Sequence, residues 1–139
     1  MPSRTLYVLT GLAVFMSIGH HVDHVVRGNH VGWPFESEIT AFTFSLGIYP
    51  VIGLAIFLHS RGRIGFGTWA LISGGGAIFV TAVHLVPGAV EPPSDIIDPY
   101  RSQLAGLIAF GWLLVFVAVL VVTFVYELSM WRRERRESD

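Results

Sequence analysis

No cysteine and no lysine occur among the 139 residues, so all nine basic side chains are arginine. Without thiols the chain can make neither disulfides nor iron–sulfur clusters nor thiolate metal sites. Without an ε-amine it forms no Schiff base, which excludes covalent retinal and amine-centred carbonyl chemistry. Charge of either sign is sparse: charged residues make up 14% of the chain and the formal net charge is −1, a balance that argues against a nucleic-acid partner. What fills the chain instead is apolar. The hydrophobic share is 53% and the mean hydropathy is +0.61, which in a chain of this length reads as one integral membrane domain over residues 1–139.

Four stretches are long enough to cross a hydrocarbon core of about 30 Å at about 1.5 Å per residue: Leu6–Val26, Ile39–Leu58, Ile64–Val86 and Leu104–Tyr126. The first follows MPSR with no small-residue cleavage pattern and reads as an uncleaved span rather than a signal peptide. Short loops join the four, which predicts an all-α antiparallel up-down bundle. Pro50, near the middle of the second stretch, is expected to kink it and free the Leu46 carbonyl. Ser37 is a candidate cap for that helix, and Asp98 before Pro99 is a candidate cap for the fourth. The mid-span run Gly74-Gly75-Gly76 reads as close helix packing.

With four spans, Arg4, Arg61, Arg63, Arg132, Arg133, Arg135 and Arg136 fall on one side, and the positive-inside rule makes that side cytoplasmic, with both termini inside a cell membrane. Residues 127–139 form a basic tail that suits anionic lipid. The opposite face carries Glu36, Glu38, Glu91, Asp95 and Asp98, the last three expected in a solvated loop. Trp33 outside, with Trp69 and Trp131 inside, lie where an interfacial aromatic belt belongs.

Chemistry concentrates in Ser17–Trp33, SIGHHVDHVVRGNHVGW, which holds four of the six histidines. Ionisable groups within a span are costly, and their default reading is functional. His20 and His24 sit about 40° apart on a helix and one turn apart in depth, so both imidazoles reach one ion. Asp23 lies about 60° to the other side of His20, near enough to orient a ring or join the shell, and one turn before Arg27. His84, near the outer end of the third span, comes to the same layer. His21 is turned about 100° from His20, and the spacing leaves its part and that of His30 open. His59, with no second histidine near it, reads as an interface residue. Span two adds Glu36, Thr40 and Thr43 on one stripe. The inner halves of spans one and four look featureless, and the inner layer offers only His59, Ser60 and Thr68 near the surface.

Imidazole with carboxylate and no sulfur suits zinc, iron or copper(II). The expected metal ligands are His20, His24 and His84, with Asp23, Glu36 or water closing the shell. Glu36 and Asp23 are the candidate catalytic carboxylates of a metal-dependent membrane oxidoreductase or hydrolase acting on a lipid-soluble substrate. A second reading holds haem b between His84 and His20 or His24, with Gly19 and Gly74–Gly76 making room and Arg27 or Arg101 meeting the propionates; such a protein would exchange electrons with a quinone. A third is a metal or proton transporter, or an accessory subunit of a larger membrane complex or homo-oligomer.

Overall fold

A computed structural model describes residues 4–28 and 38–138. Those residues form six helices and no strand: α1 (Arg4–Arg27), α2 (Ala41–Ser45), α3 (Ile48–Ser60), α4 (Phe66–His84), α5 (Pro93–Ile97) and α6 (Gln103–Ser138). Counting α2 and α3 together, four helical segments are long and apolar enough to cross a membrane, the pattern of a multi-pass membrane protein. Large apolar side chains such as Val8, Phe15, Leu71, Ile78 and Val122 stand on their outer surfaces, as a hydrocarbon solvent favours.

Local chemistry sets the helix ends. Gly28 closes α1 at φ 60°. After α3, Gly62 at φ 68° donates to the His59 carbonyl while Arg63 donates to that of Leu58, a paired closure that needs a left-handed residue. The second span departs from expectation. Ser37 lies outside the described residues, and the cap is Thr40, whose hydroxyl accepts from the Thr43 amide while Thr43 Oγ1 accepts from the Thr40 amide. The chain then breaks at Leu46–Gly47, so Pro50 stands in the first turn of α3, where a missing amide hydrogen leaves no bond unmade. The Leu46 carbonyl accepts from Tyr49 N at 3.3 Å; the proline begins a helix instead of kinking one. Asp98 also differs: it ends α5, and α6 begins five residues later at Gln103. Arg132, Arg133, Arg135 and Arg136 stand on the exposed last turns of α6, which at 36 residues runs about 54 Å.

Helix α6 is the spine. It runs antiparallel to α4, with the Phe66 amide donating to Glu134, Ser73 to Glu127, and Phe124 and Leu120 lying against Gly74 and Gly76. A Cβ on Gly74 would come within 2.8 Å of Phe124, which bears out close packing there. Against α1, Trp112 lays its ring over Gly19 and donates to the Met16 carbonyl at 3.0 Å. Trp69 is not at an interfacial belt; it is 1% exposed, packed with Leu6, Ala55 and Phe66. By contrast α2 and α3 each bury one residue, Phe42 and Ala55, and so stand off from α1, α4 and α6.

Helix α5 is seated on the start of α6, with Ile96 fully buried and the Ile97 carbonyl in the space a Gly106 side chain would need. The obstacle is backbone, so it cannot rotate away. Gly106→Ala is expected to lower unfolding stability in detergent by about 1–3 kcal/mol by levering α5 off α6, and a wild-type melting temperature would show that the two helices separate freely.

Candidate metal centre

The buried stripe of α1 contains Leu6, Thr10, Ala13, Ser17, His20 and His24, residues three or four apart that share a face. His84 ends α4 at 3% exposure and meets that stripe. The imidazoles of His20, His24 and His84 are all buried, and one donor nitrogen from each lies within 4.8 Å of the others. His20 Nε2 and His24 Nε2 are 3.2 Å apart. Ring centroids are separated by 4.7 Å for His20 and His24, 4.9 Å for His20 and His84, and 5.8 Å for His24 and His84. The spacing read from the sequence therefore brings all three expected ligands together.

The carboxylate beside them is Glu91, not Asp23. Val86 to Glu91 fold back through Gly88, whose φ of 77° suits glycine, and the Glu91 amide donates to the Val83 carbonyl at 3.0 Å. This turn buries Glu91 completely, correcting its expected place in a solvated loop. Its Oε2 lies 3.3 Å from His24 Nε2 and 3.2 Å from His84 Nδ1, and His84 Nδ1 is also 3.1 Å from the Glu91 carbonyl. With Nδ1 turned to Glu91 as a donor, His84 keeps Nε2 as a lone-pair donor for a guest.

Arg27 joins two carboxylates. Its Nε donates to Asp23 Oδ2 at 2.8 Å, and its Nη1 donates to Glu91 Oε1 and to the Asp95 carbonyl, each at 2.7 Å. The other Asp23 oxygen accepts from the Tyr100 hydroxyl. Asp23 is thus held by Arg27 and Tyr100 and orders the arginine that orders Glu91. Burial pushes the Glu91 carboxyl above the ordinary carboxylate range, with the Arg27 guanidinium pulling the other way.

Burial first, then the Asp23 carboxylate, push the Tyr100 phenol up to about 12. Because this folded value is raised, the phenol's contribution to stability is complete below its ordinary value of about 10 and is lost as pH climbs through about 12. An ultraviolet phenolate titration is expected to lose one late phenol in Tyr100→Phe, and in Asp23→Asn that phenol titrates earlier. An unchanged late amplitude in Tyr100→Phe would assign it elsewhere.

His21 faces away from the trio. Its Nδ1 is 2.8 Å from the Ser17 carbonyl and 2.8 Å from the Tyr49 hydroxyl, and Nε2 is 2.8 Å from Ser45 Oγ, so it fastens α1 to α2 and α3. His59 lies among Tyr7, Phe66 and Trp69, with Nδ1 3.1 Å from the Ile64 carbonyl. Thr40 and Thr43, which share the stripe of Glu36 in the sequence, have their hydroxyls in the α2 cap. Glu36 and His30 lie outside the described residues.

Compared with known proteins, the chain matches no family model, no curated protein and no solved structure. Function here rests on the site alone.

A cavity of about 570 Å³ opens from the imidazoles into the gap between α2–α3 and the other helices. Its walls are mostly apolar, among them Val14, Ile52, Ile72, Phe79 and Leu120. Two polar ends bound it: His20, His24, His84 and Glu91 at one, and Thr10, Ser73, Thr123 and Glu127 at the other. The second end overturns the expectation of featureless inner halves. Single polar residues in long apolar runs concealed it, although Thr10 continues the histidine stripe of α1 and Thr123 lies one turn before Glu127.

Proposed function

We propose that this chain is a cell-membrane protein that binds one transition metal through His20, His24 and His84 and presents it to a lipid-soluble molecule in the adjoining cavity. The observation that carries the reading is the convergence of three buried imidazoles from two helices. Nitrogen ligands at about 2.0–2.1 Å from a tetrahedral ion stand about 3.4 Å from each other, close to the 3.2 Å between His20 and His24. An all-nitrogen set suits zinc, iron or copper(II), and three protein ligands leave a position for substrate or water. Bound there, the metal would supply Lewis-acid or redox chemistry. The chain's own groups hold it: Glu91 orients His84 through Nδ1, and Arg27 fixes Glu91. An antiparallel up-down bundle with both termini cytoplasmic completes this reading, and it opens the metal end toward the outer leaflet.

The same contacts weigh against haem. His20 meets His24 and His84 edge to face, and His24 and His84 are tilted against each other at 5.8 Å between centroids, with no layer between the rings for a macrocycle; Trp112 fills the space beside Gly19. Elemental analysis and an absorption spectrum of gently purified protein test the proposal. About one metal per chain without a Soret band is expected. Failure to retain zinc, iron or copper, or to take any of them up when added, would overturn it.

A further inference from the structure

The end of the cavity away from the histidines contains polar groups that the protein leaves without partners. Thr10 is 6% exposed and Trp69 1% exposed; both line the cavity, and neither Thr10 Oγ1 nor Trp69 Nε1 has a hydrogen-bond partner among the described residues. Glu127, 1% exposed on the same wall, receives a hydrogen bond from Ser73 and has no cation beside it among the described residues. Thr123 Oγ1 already donates to the Val119 carbonyl at 2.7 Å. Thr10 lies ten residues before His20 and Ser73 eleven before His84, so this end is about 15–17 Å from the imidazoles along the helices. An unmade hydrogen bond at such depth is costly, and two donors and a carboxylate on the wall of one cavity describe the group that would satisfy them.

We infer that Thr10, Trp69, Ser73 and Glu127 form a second binding site that takes the hydroxyl of a long-chain or isoprenoid alcohol from the membrane. An alcohol oxygen offers one donor and two acceptor positions. It accepts from the Trp69 indole N–H and the Thr10 hydroxyl and donates to the Glu127 carboxylate, while its hydrocarbon chain follows the apolar wall toward the histidines. An ionised carboxylate head would find no arginine among the residues that line this end of the cavity. A carbonyl head satisfies both donors but offers Glu127 no hydrogen. The inference rests on the reading that the cavity admits a membrane-soluble guest and requires no metal, so it is tested on chelator-treated protein.

The probe is a long-chain primary alcohol brominated beside its hydroxyl carbon, with the corresponding bromoalkane as its control. Bromine quenches indole fluorescence at contact, and Trp33→Phe, Trp112→Phe and Trp131→Phe together leave Trp69 as the reporter. Saturable quenching by the alcohol is expected, with the bromoalkane at least about tenfold weaker. Thr10→Val and Glu127→Leu should each weaken the alcohol about fivefold to tenfold without altering the bromoalkane. If the triple background does not fold, native mass spectrometry of the full chain, with and without Thr10→Val, reads the same preference as bound alcohol against bound alkane. Equal binding of alcohol and alkane, no saturable binding of the alcohol, or an alcohol affinity unmoved by both substitutions would overturn the inference. Metal content, measured separately, reports only on the histidine site.

Discussion

Arg27→Met is expected to destabilise the protein by about 3–5 kcal/mol, one of the largest effects any single substitution outside the apolar packing should have. The guanidinium side chain is fully buried and bonded to Asp23, to Glu91 and to the Asp95 carbonyl; the Glu91 side chain is fully buried and that of Asp23 is 12% exposed. Methionine fills similar volume but leaves both carboxylates without their cation in a low-dielectric layer, and the uncompensated charge causes most of the loss. Arg27→Met combined with Glu91→Gln should therefore recover part of that loss, although the double variant lacks one more native hydrogen-bonding group. Chemical unfolding in detergent reads the cycle. A single variant within about 1 kcal/mol of wild type, or a double variant with strictly additive losses, would mean that Arg27 reaches solvent and neutralises nothing.

The spans were readable because each is about twenty residues of apolar side chains, and lipid selects for that property directly. The trio His20, His24 and His84 was readable for a geometric reason: four residues on a helix preserve the face, and equal distance from the span ends preserves the depth. Glu91 was not. Its burial depends on the left-handed Gly88 and on an amide bond to Val83, and loop dihedrals leave no period in a sequence. Asp23 carried the right charge at the right depth, but the choice between an imidazole and Arg27 is made by a loop that periodicity does not fold. Glu127 stands first in a stretch that reads as a basic tail, and only the close approach of Ser73 reveals that α6 buries it. Pro50 shows the limit from the other side. A proline predicts a disturbed helix, yet the break falls ahead of it at Leu46–Gly47 and the proline then occupies a first turn.

His84→Ala is expected to abolish stoichiometric metal, lowering affinity by about two to three orders of magnitude. Structural sites of four ligands bind with about 10–16 kcal/mol, so one ligand accounts for about 2.5–4 kcal/mol. His20→Ala and His24→Ala should match it, because each imidazole provides one donor and the nearest carboxylate, Glu91, already faces His24, His84 and Arg27. His21→Ala is the internal control. It removes the bonds to Tyr49 and Ser45 and should loosen α2–α3, yet its ring is directed away from the trio and metal content should hold. Glu91→Gln occupies the middle ground: the amide keeps the shape but loses the charge that orients His84, a change expected to weaken binding about 10–100-fold. A titration of zinc into the chelator-treated protein, followed by elemental analysis of the washed complex, ranks the five variants. The order expected is wild type and His21→Ala together, Glu91→Gln below them, and the three other histidine variants last. If His21→Ala loses as much metal as His84→Ala while remaining folded, the ion sits nearer α2, and the buried trio is a hydrogen-bonded contact between α1 and α4.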